Sequence, residues 1–235
     1  MAKRVIAVTG ASRGIGAAIA RELLARGFVV GSLTRKGIGP DDTIGVQCDV
    51  TDETSVKHAL TSLYQQTKRI DGLVNNAGIH LDGKSAELKS TVYDDVMSTN
   101  ARSVFIACRE AYPYLAKSGG TIVNIGSFFD KLGVKRNLAY CASKAAVGAI
   151  TRCLAVEWAS KGIRVLNVAP GYVETELNAE AMKGPLRPFL ESRVPTGGPG
   201  KADDVARLVA ALFVESNPFL TGETIYLDGG QGMAH

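Results

Sequence analysis

Cysteine is scarce in this chain. The four present, Cys48, Cys108, Cys141 and Cys153, are scattered without metal-ligand spacing. That argues against a zinc site and against a disulfide-stapled scaffold, and predicts free thiols in a reducing cytoplasm. No apolar run reaches the roughly 18 residues of a membrane-spanning helix, so neither a span nor a membrane partner is expected. The opening stretch "MAKRVIAVTG" runs straight into a short apolar segment and lacks the apolar core and small-residue cleavage site of a signal peptide. The formal net charge is only +4. With no basic block, zinc pattern or aromatic-basic stripe, nucleic acid is not an expected partner. A mild positive balance suits an anionic small ligand. Internal repeats, linkers and low-complexity segments are absent as well.

The 235 residues, 46% hydrophobic and 21% charged, match an ordinary globular domain. Short apolar runs alternate with amphipathic segments. "RVIAVTG", "FVVGSLT", "TIGVQCD", "DGLVNN", "GTIVNIGS", "IRVLNVAPG" and "ETIYLDGG" read as seven strands. Helices are predicted between most of them, including a long one over 88–117 and another over 140–161. The helix of "TDETSVKHALTSLYQQTKRI" opens on a threonine suited to capping. Buried runs separated by helices imply a parallel sheet covered on both faces. The expected fold is therefore α/β: a single doubly wound Rossmann-type domain over residues 1–235 with a seven-stranded parallel sheet. Between strands two and three only "RKGIGPDD" remains, too short for a crossover helix. The Gly- and Pro-rich stretch 172–201 reads as a long irregular loop, a candidate substrate-binding lid.

The first strand ends in "TGASRGIG". Gly10, Gly14 and Gly16 fall where strand turns into helix. Glycines there let the chain turn tightly and let a pyrophosphate approach the backbone. The helix N-terminus adds free N–H groups and a favourable dipole.

The spacing Gly-x-x-x-Gly-x-Gly after an N-terminal strand resembles the short-chain dehydrogenase/reductase family. The resemblance continues in order along the chain: "CDV" after strand three, "NNAG" after strand four, Asn100 in the next helix, Ser127 at the end of strand five, Tyr140 and Lys144 in "YCASK", and "PGYVET" after strand six. It implies an oxidoreductase that moves hydride between nicotinamide and a carbonyl or secondary alcohol. By that resemblance Tyr140 gives its proton to the carbonyl oxygen, Ser127 hydrogen-bonds that oxygen, and Lys144 also holds the nicotinamide ribose. Asn100 positions a water for the proton relay. Cofactor contacts are implied for Gly10, Ser12, Arg13, Gly14, Ile15 and Gly16 in the glycine turn, and for Thr34 and Arg35 after strand two. They are implied too for Asp49 and Val50 beside the adenine, for Asn76, Ala77 and Gly78, for Tyr140 and Lys144, and for Pro170, Gly171, Val173 and Thr175.

Spacing alone does not select Tyr140. "YQQTK" places Tyr64 and Lys68 the same four residues apart, which also puts them on one helical face. Tyr64 lies mid-helix ahead of strand four with no Ser-ended strand before it, and Lys68 is read as a solvated residue. Tyr140 follows strand five, and ligands of open α/β sheets bind outside the strand C-termini. A tyrosine has a pKa of about 10. Bringing it near neutrality takes about 4 kcal/mol of preference for phenolate, within reach of a nearby positive charge; Lys144 and the cofactor's nicotinamide charge are the candidates.

No acid stands at the end of strand two, where an NAD site places a carboxylate on the ribose 2′-OH. The chain reads "LTRK" there. Thr34 takes that place, and Arg35 with Arg13 offers guanidinium groups to a 2′-phosphate, which points to NADP(H).

The resemblance is closest to the bacterial β-ketoacyl-acyl-carrier-protein reductase group. It implies a carbonyl substrate carried on acyl-carrier protein or CoA, with a homotetramer assembled through the two long helices. The second of these has a small-residue face of Ala142, Ala145, Ala146 and Ala149 that could instead pack internally. The stretch "FFDKLGVKRNLA" before Tyr140 is bulkier and more charged than in that group, and "YLAKSGGTI" lacks a basic cluster. Lys161 does match a basic position. Phe128 and Phe129 either line an apolar pocket or pack on strand five. Other ketones, quinones and small carbonyl compounds remain open as substrates. So does a dinucleotide-binding regulator without turnover, although such a protein would be expected to lose the acid. A sugar-nucleotide epimerase would need a longer C-terminal part.

Overall fold

A computed structural model describes residues 3–176, 178–215 and 217–233. The elements in chain order are β1 (Val5–Thr9), α1 (Gly14–Ala25), β2 (Val29–Thr34), β3 (Ile44–Gln47), α2 (Glu53–Thr67), β4 (Gly72–Asn75), α3 (Ser90–Met97), α4 (Ser103–Leu115) and β5 (Gly120–Ile125). They continue with α5 (Leu138–Trp158), β6 (Ile163–Pro170), β7 (Val173–Glu174), α6 (Ala179–Met182), α7 (Leu186–Arg193), β8 (Gly200–Lys201), α8 (Ala202–Val214) and β9 (Thr224–Leu227).

Seven strands form one parallel sheet in the order β3-β2-β1-β4-β5-β6-β9. Side chains alternate between two cores because successive strand residues point to opposite faces. Val5 and Ala7 join the core under α2, α4 and α5. Ile6 and Val8 join the one under α1 and α8. Both faces are therefore apolar, which is why the strands read as unbroken hydrophobic runs. After β1 the chain builds outward through β2 and β3, then returns to pair β4 with the other side of β1. That reversal opens a crevice at the C-terminal ends of β1 and β4, the usual ligand position in such sheets.

Three local features differ from the sequence expectation. The long helix over 88–117 is interrupted by a π-turn, Ser98–Arg102, with Asn100 inside it. The cap of α2 is Asp52, whose carboxylate accepts from Thr54 N and Ser55 N. Thr51 turns back instead to donate to Asp49 at 2.7 Å, because a carboxylate caps as well as a hydroxyl and Asp52 stands one residue nearer the helix. Residues 172–201 are not one irregular loop. The two-stranded β7–β8 ribbon and helices α6 and α7 fold over a small separate core of Met182, Leu190 and Val194. The stretch between β2 and β3 carries no helix, as its length dictates.

Candidate active site

The glycine turn is shaped as a cradle. Gly10 and Gly14 adopt φ of +66° and +55°, a region that L side chains resist. A Cβ at Gly10 would lie 2.9 Å from Ala77 Cα, and one at Gly16 would collide with the Gly10 carbonyl oxygen. These glycines are thus required by the close approach of β1, α1 and the segment after β4. Asn76 ties the two strand ends together. Its Nδ2 donates to Thr9 O at 3.1 Å and Gly10 O at 3.2 Å, while Thr9 Oγ1 accepts from Asn76 N and Ala77 N. Sequence reading missed Thr9, since a strand threonine carries no signal of its own.

The cleft at these strand ends has a volume of about 590 Å³. It gathers Gly10, Ser12, Arg13, Gly14, Ile15, Gly16, Thr34, Arg35, Asp49, Val50, Asn76, Ala77, Gly78, Ser127, Tyr140, Lys144, Pro170, Gly171 and Thr175 on one surface. Val173 is not on its wall. It is buried in the core under α8, and its carbonyl accepts from Asn178 Nδ2 at 2.8 Å. The cleft also takes in His80 and Glu176, which the sequence did not single out.

Asp49 is exposed and accepts from Thr51 N and Thr51 Oγ1. These bonds hold its carboxyl below the usual range, and the Arg35 charge contributes further. Thr34 is buried and committed to its own turn: its hydroxyl donates to Ile38 O at 2.8 Å and accepts from Ile38 N at 3.0 Å. Arg13 and Arg35 are exposed on the cleft rim. One feature sits awkwardly with a phosphate cradle. The Gly14 N–H donates to Glu176 Oε2 at 3.2 Å, so a carboxylate holds a donor that a pyrophosphate would use.

At the inner end, Ser127 and Tyr140 stand together on the cleft wall, with the Ser127 hydroxyl near enough to the phenol to favour its ionised form. Ser127 closes β5 and also accepts from Phe129 N at 3.3 Å. Lys144, one turn along α5, is 6% exposed. Its Nζ donates to Ile125 O at 2.8 Å and lies 5.7 Å from the centre of the Tyr140 ring. Burial pulls the Lys144 ammonium down to about 8. Burial also pushes the Tyr140 phenol above its ordinary value, against the pull of the nearby Ser127 hydroxyl, with Cys141 adding to the rise. The sequence expectation assigned the lowering of this phenol to Lys144 together with the nicotinamide charge; burial acts in the opposite direction. Desolvation penalises both charged forms more than this pair recovers.

Two aromatic edges fix the Tyr140 ring: Phe129 at 6.0 Å and His80 at 4.8 Å between centroids. His80 is itself bonded to Asn137 Oδ1. Phe128 and Phe129 are buried and absent from the cleft wall; they pack against Tyr172 and, for Phe129, behind Tyr140. Asn100 does not reach the cleft either. Its Oδ1 accepts from Ile79 N and its Nδ2 donates to Ile79 O and Ser143 Oγ, at 2.8, 2.8 and 3.1 Å. Ser143 in turn donates to Tyr140 O at 2.7 Å. The π-turn thus spends the Asn100 side chain on binding the segment after β4 to α5.

Tyr64 is nowhere near this cluster. Its hydroxyl accepts from Lys117 at 3.5 Å and its ring stacks on Tyr114, while Lys68 is an exposed helix end at φ +60°.

Residues 10–231 match a family profile described as enoyl-(acyl carrier protein) reductase. The 3-oxoacyl-[acyl-carrier-protein] reductases of Haemophilus influenzae and Escherichia coli are 36% and 35% identical, each with 98% of both chains covered. Among solved structures, Thermoplasma acidophilum aldohexose dehydrogenase superposes with a TM-score of 0.92 at 31% identity, covering 98% of this chain and 94% of that one. A protein named ElxO, solved with NADP bound, gives 0.90 at 31% identity with 97% and 98% covered. A glycine-cradled cleft ending in a serine, a tyrosine and a lysine, in a chain alike to these relatives from end to end, makes this protein a member of the short-chain dehydrogenase/reductase family, an oxidoreductase acting on CH–OH or carbonyl groups.

Proposed function

We propose that the protein is an NADP(H)-dependent reductase of 3-oxoacyl thioesters, with the acyl chain carried on acyl-carrier protein or CoA. The observation that carries this reading is the meeting of Ser127, Tyr140 and Lys144 at the inner end of the glycine-lined cleft, in a chain 36% identical to a 3-oxoacyl reductase over nearly its whole length.

The glycine turn fits a dinucleotide pyrophosphate: the space in front of Gly14 is open, the nearest atom to a Cβ there being Thr175 Cγ2 at 3.8 Å. When bound, the dinucleotide supplies hydride to a carbonyl carbon or accepts it from an alcohol. The rest of the work falls to the chain. Ser127 and Tyr140 receive the substrate oxygen, and the raised phenol of Tyr140 is protonated at neutral pH, the state needed to donate to an alkoxide as it forms. Lys144 stands beside the phenol and would hold the nicotinamide ribose, while Asn100 and Ser143 hold the backbone on either side. Arg35 and Arg13 would meet the 2′-phosphate with charge-assisted bonds, with Asp49 close enough to share the Arg35 charge. A pyrophosphate at Gly14 would require Glu176 to release that N–H.

Residues 172–201 serve as the lid. Met182, Leu190 and Val194 give the segment a small core of its own, Val173 anchors its start in the core under α8, and Thr175 and Glu176 bring it to the cleft. The alanines of α5 point away from the sheet, which α5 covers instead with Ser143, Val147, Gly148 and Leu154. An outward small-residue face supports helix-to-helix pairing between copies, and a homotetramer. A cytoplasmic setting goes with four free thiols.

A second reading, reduction of another small carbonyl compound or oxidation of a polyol, has its own support. The polar His80–Asn137 pair stands beside Tyr140, where an acyl chain needs no partner, and an aldohexose dehydrogenase is among the near structures. Nicotinamide fluorescence followed across ketoacyl thioesters, quinones, ketosteroids and small diketones separates the two. Turnover confined to the thioesters is expected. Turnover of every class except thioesters would overturn the first reading, and none at all would leave a dinucleotide-binding regulator.

A further inference from the structure

A second cavity, about 380 Å³, opens at the opposite end of the sheet. It lies at the N-terminal ends of β1, β4, β5 and β6, so the sheet separates it from the glycine cleft. Three arginines line it, each just before or at the start of a strand: Arg4, Arg69 and Arg164. Asp71 is the one acid on its wall. That acid is already taken. Arg69 grips it with two bonds of 2.8 and 2.7 Å, and Val5 N donates to it at 2.7 Å.

Arg164 is the unusual member. It is 8% exposed, and the bonds recorded for its guanidinium go to neutral oxygens: Thr121 Oγ1 and Leu212 O at 2.8 Å, and Asn217 O at 3.3 Å. Among the described residues neither Arg164 nor Arg4 is in an ion pair. Arg4 stacks on the Phe28 ring at 4.8 Å and repels Arg164. Arg4 is exposed on the cavity wall, but the Arg164 charge is buried, and a buried charge without a counter-charge calls for an ion or ligand that completes the site. The formal charge on the wall is three arginines against one aspartate, or +2. A guanidinium fork matches phosphate oxygens in pairs.

We infer that this cavity is an anion site, built for a doubly charged oxyanion such as the phosphate group of a small phosphomonoester, held between Arg4 and Arg164. The assignment is independent of the reaction carried out at the glycine cleft.

Inorganic phosphate is the probe. Thermal melts are run in about 10 mM phosphate and in chloride of equal ionic strength, for wild type, Arg4→Gln, Arg4→Lys and Arg35→Ala. Phosphate stabilises most proteins by exclusion from their surface, so the readout is the difference between variants. With a dissociation constant of about 1 mM, bound phosphate should add roughly 3 °C to wild type beyond what Arg4→Gln shows. Arg35→Ala, altered at the other cleft, should keep that gain, and Arg4→Lys should keep most of it. Broadening of the phosphorus resonance by wild type, and not by Arg4→Gln, would report the binding directly. Equal gains in wild type and Arg4→Gln would overturn the site. So would loss of the gain in Arg35→Ala, which would put the phosphate at the glycine cleft. Equal loss in the Lys and Gln variants would show that stacking on Phe28, and not charge, is what Arg4 provides, and would also overturn it.

Discussion

Replacing Lys144 by methionine should leave the fold at least as stable as before while removing activity. The lysine is buried, and its pKa falls from the usual 10.5 to about 8. That difference corresponds to about 3 kcal/mol of penalty for holding the charged form in the folded protein. The Nζ bond to Ile125 O returns about 1.5–3 kcal/mol, as a bond from a charged donor. Methionine fills a similar volume without charge. The balance lies between no change and about 2 kcal/mol in favour of Lys144→Met at pH 7, or up to several degrees in Tm. The sign in pH follows from the lowered pKa. Between about 8 and 10.5 the unfolded chain holds a proton that the folded chain does not, so wild-type stability rises with pH across that window. The gain of Lys144→Met should therefore be largest below pH 8 and shrink across that window, ending with wild type the more stable above about 10.5. Denaturant melts of both proteins from pH 7 to 10.5 test this, alongside turnover, which should fall by about 10²–10⁴ if Lys144 serves the proton step. A variant less stable than wild type by more than about 1 kcal/mol at pH 7, or a gain that grows with pH, would refute the reasoning. It would mean that the bond to Ile125 outweighs the burial of charge.

Tyr140→Phe should abolish turnover with dinucleotide affinity nearly unchanged, whereas Tyr64→Phe should leave kcat/KM within a few-fold; the reverse pattern would remove Tyr140 from the reaction. Arg35→Ala should weaken NADPH roughly tenfold to a hundredfold, the loss of one charged hydrogen bond, and leave NADH unmoved in fluorescence titrations. Glu176→Gln should tighten either dinucleotide by a few-fold, because a carboxylate no longer holds Gly14 N–H; unchanged or weaker binding would show that Glu176 does not compete. Light scattering at micromolar concentration should give the mass of a tetramer, and a monomer mass would mean that the outward alanines of α5 pair with nothing.

Much of this molecule is legible in its sequence because the signals are local. Seven apolar runs, each of strand length and broken by glycine or by an amphipathic helix, leave little choice but a parallel sheet with both faces covered. The turn after β1 announces itself through three glycines: Gly10 and Gly14 take positive φ, and Gly10 and Gly16 leave no room for a Cβ. The span between β2 and β3 is too short for a helix, and none forms. Even the choice between two identical tyrosine–lysine spacings follows from which one trails a serine at a strand end. What only the folded chain decided depends on neighbours far away in sequence. The reversal of strand order places residues from β1, β4, β5 and β6 around one cleft. The alanines of α5 face outward because the opposite face of that helix already covers the sheet. Val173, which motif order places among the cofactor contacts, turns into the core because its ribbon pairs with residues 200–201. Asn100 gives its amide to Ile79 and Ser143 because a π-turn shifts the helix face on which it stands. And the protonation of Tyr140 and Lys144 is set less by their mutual charge, which spacing can suggest, than by burial, which only tertiary packing creates.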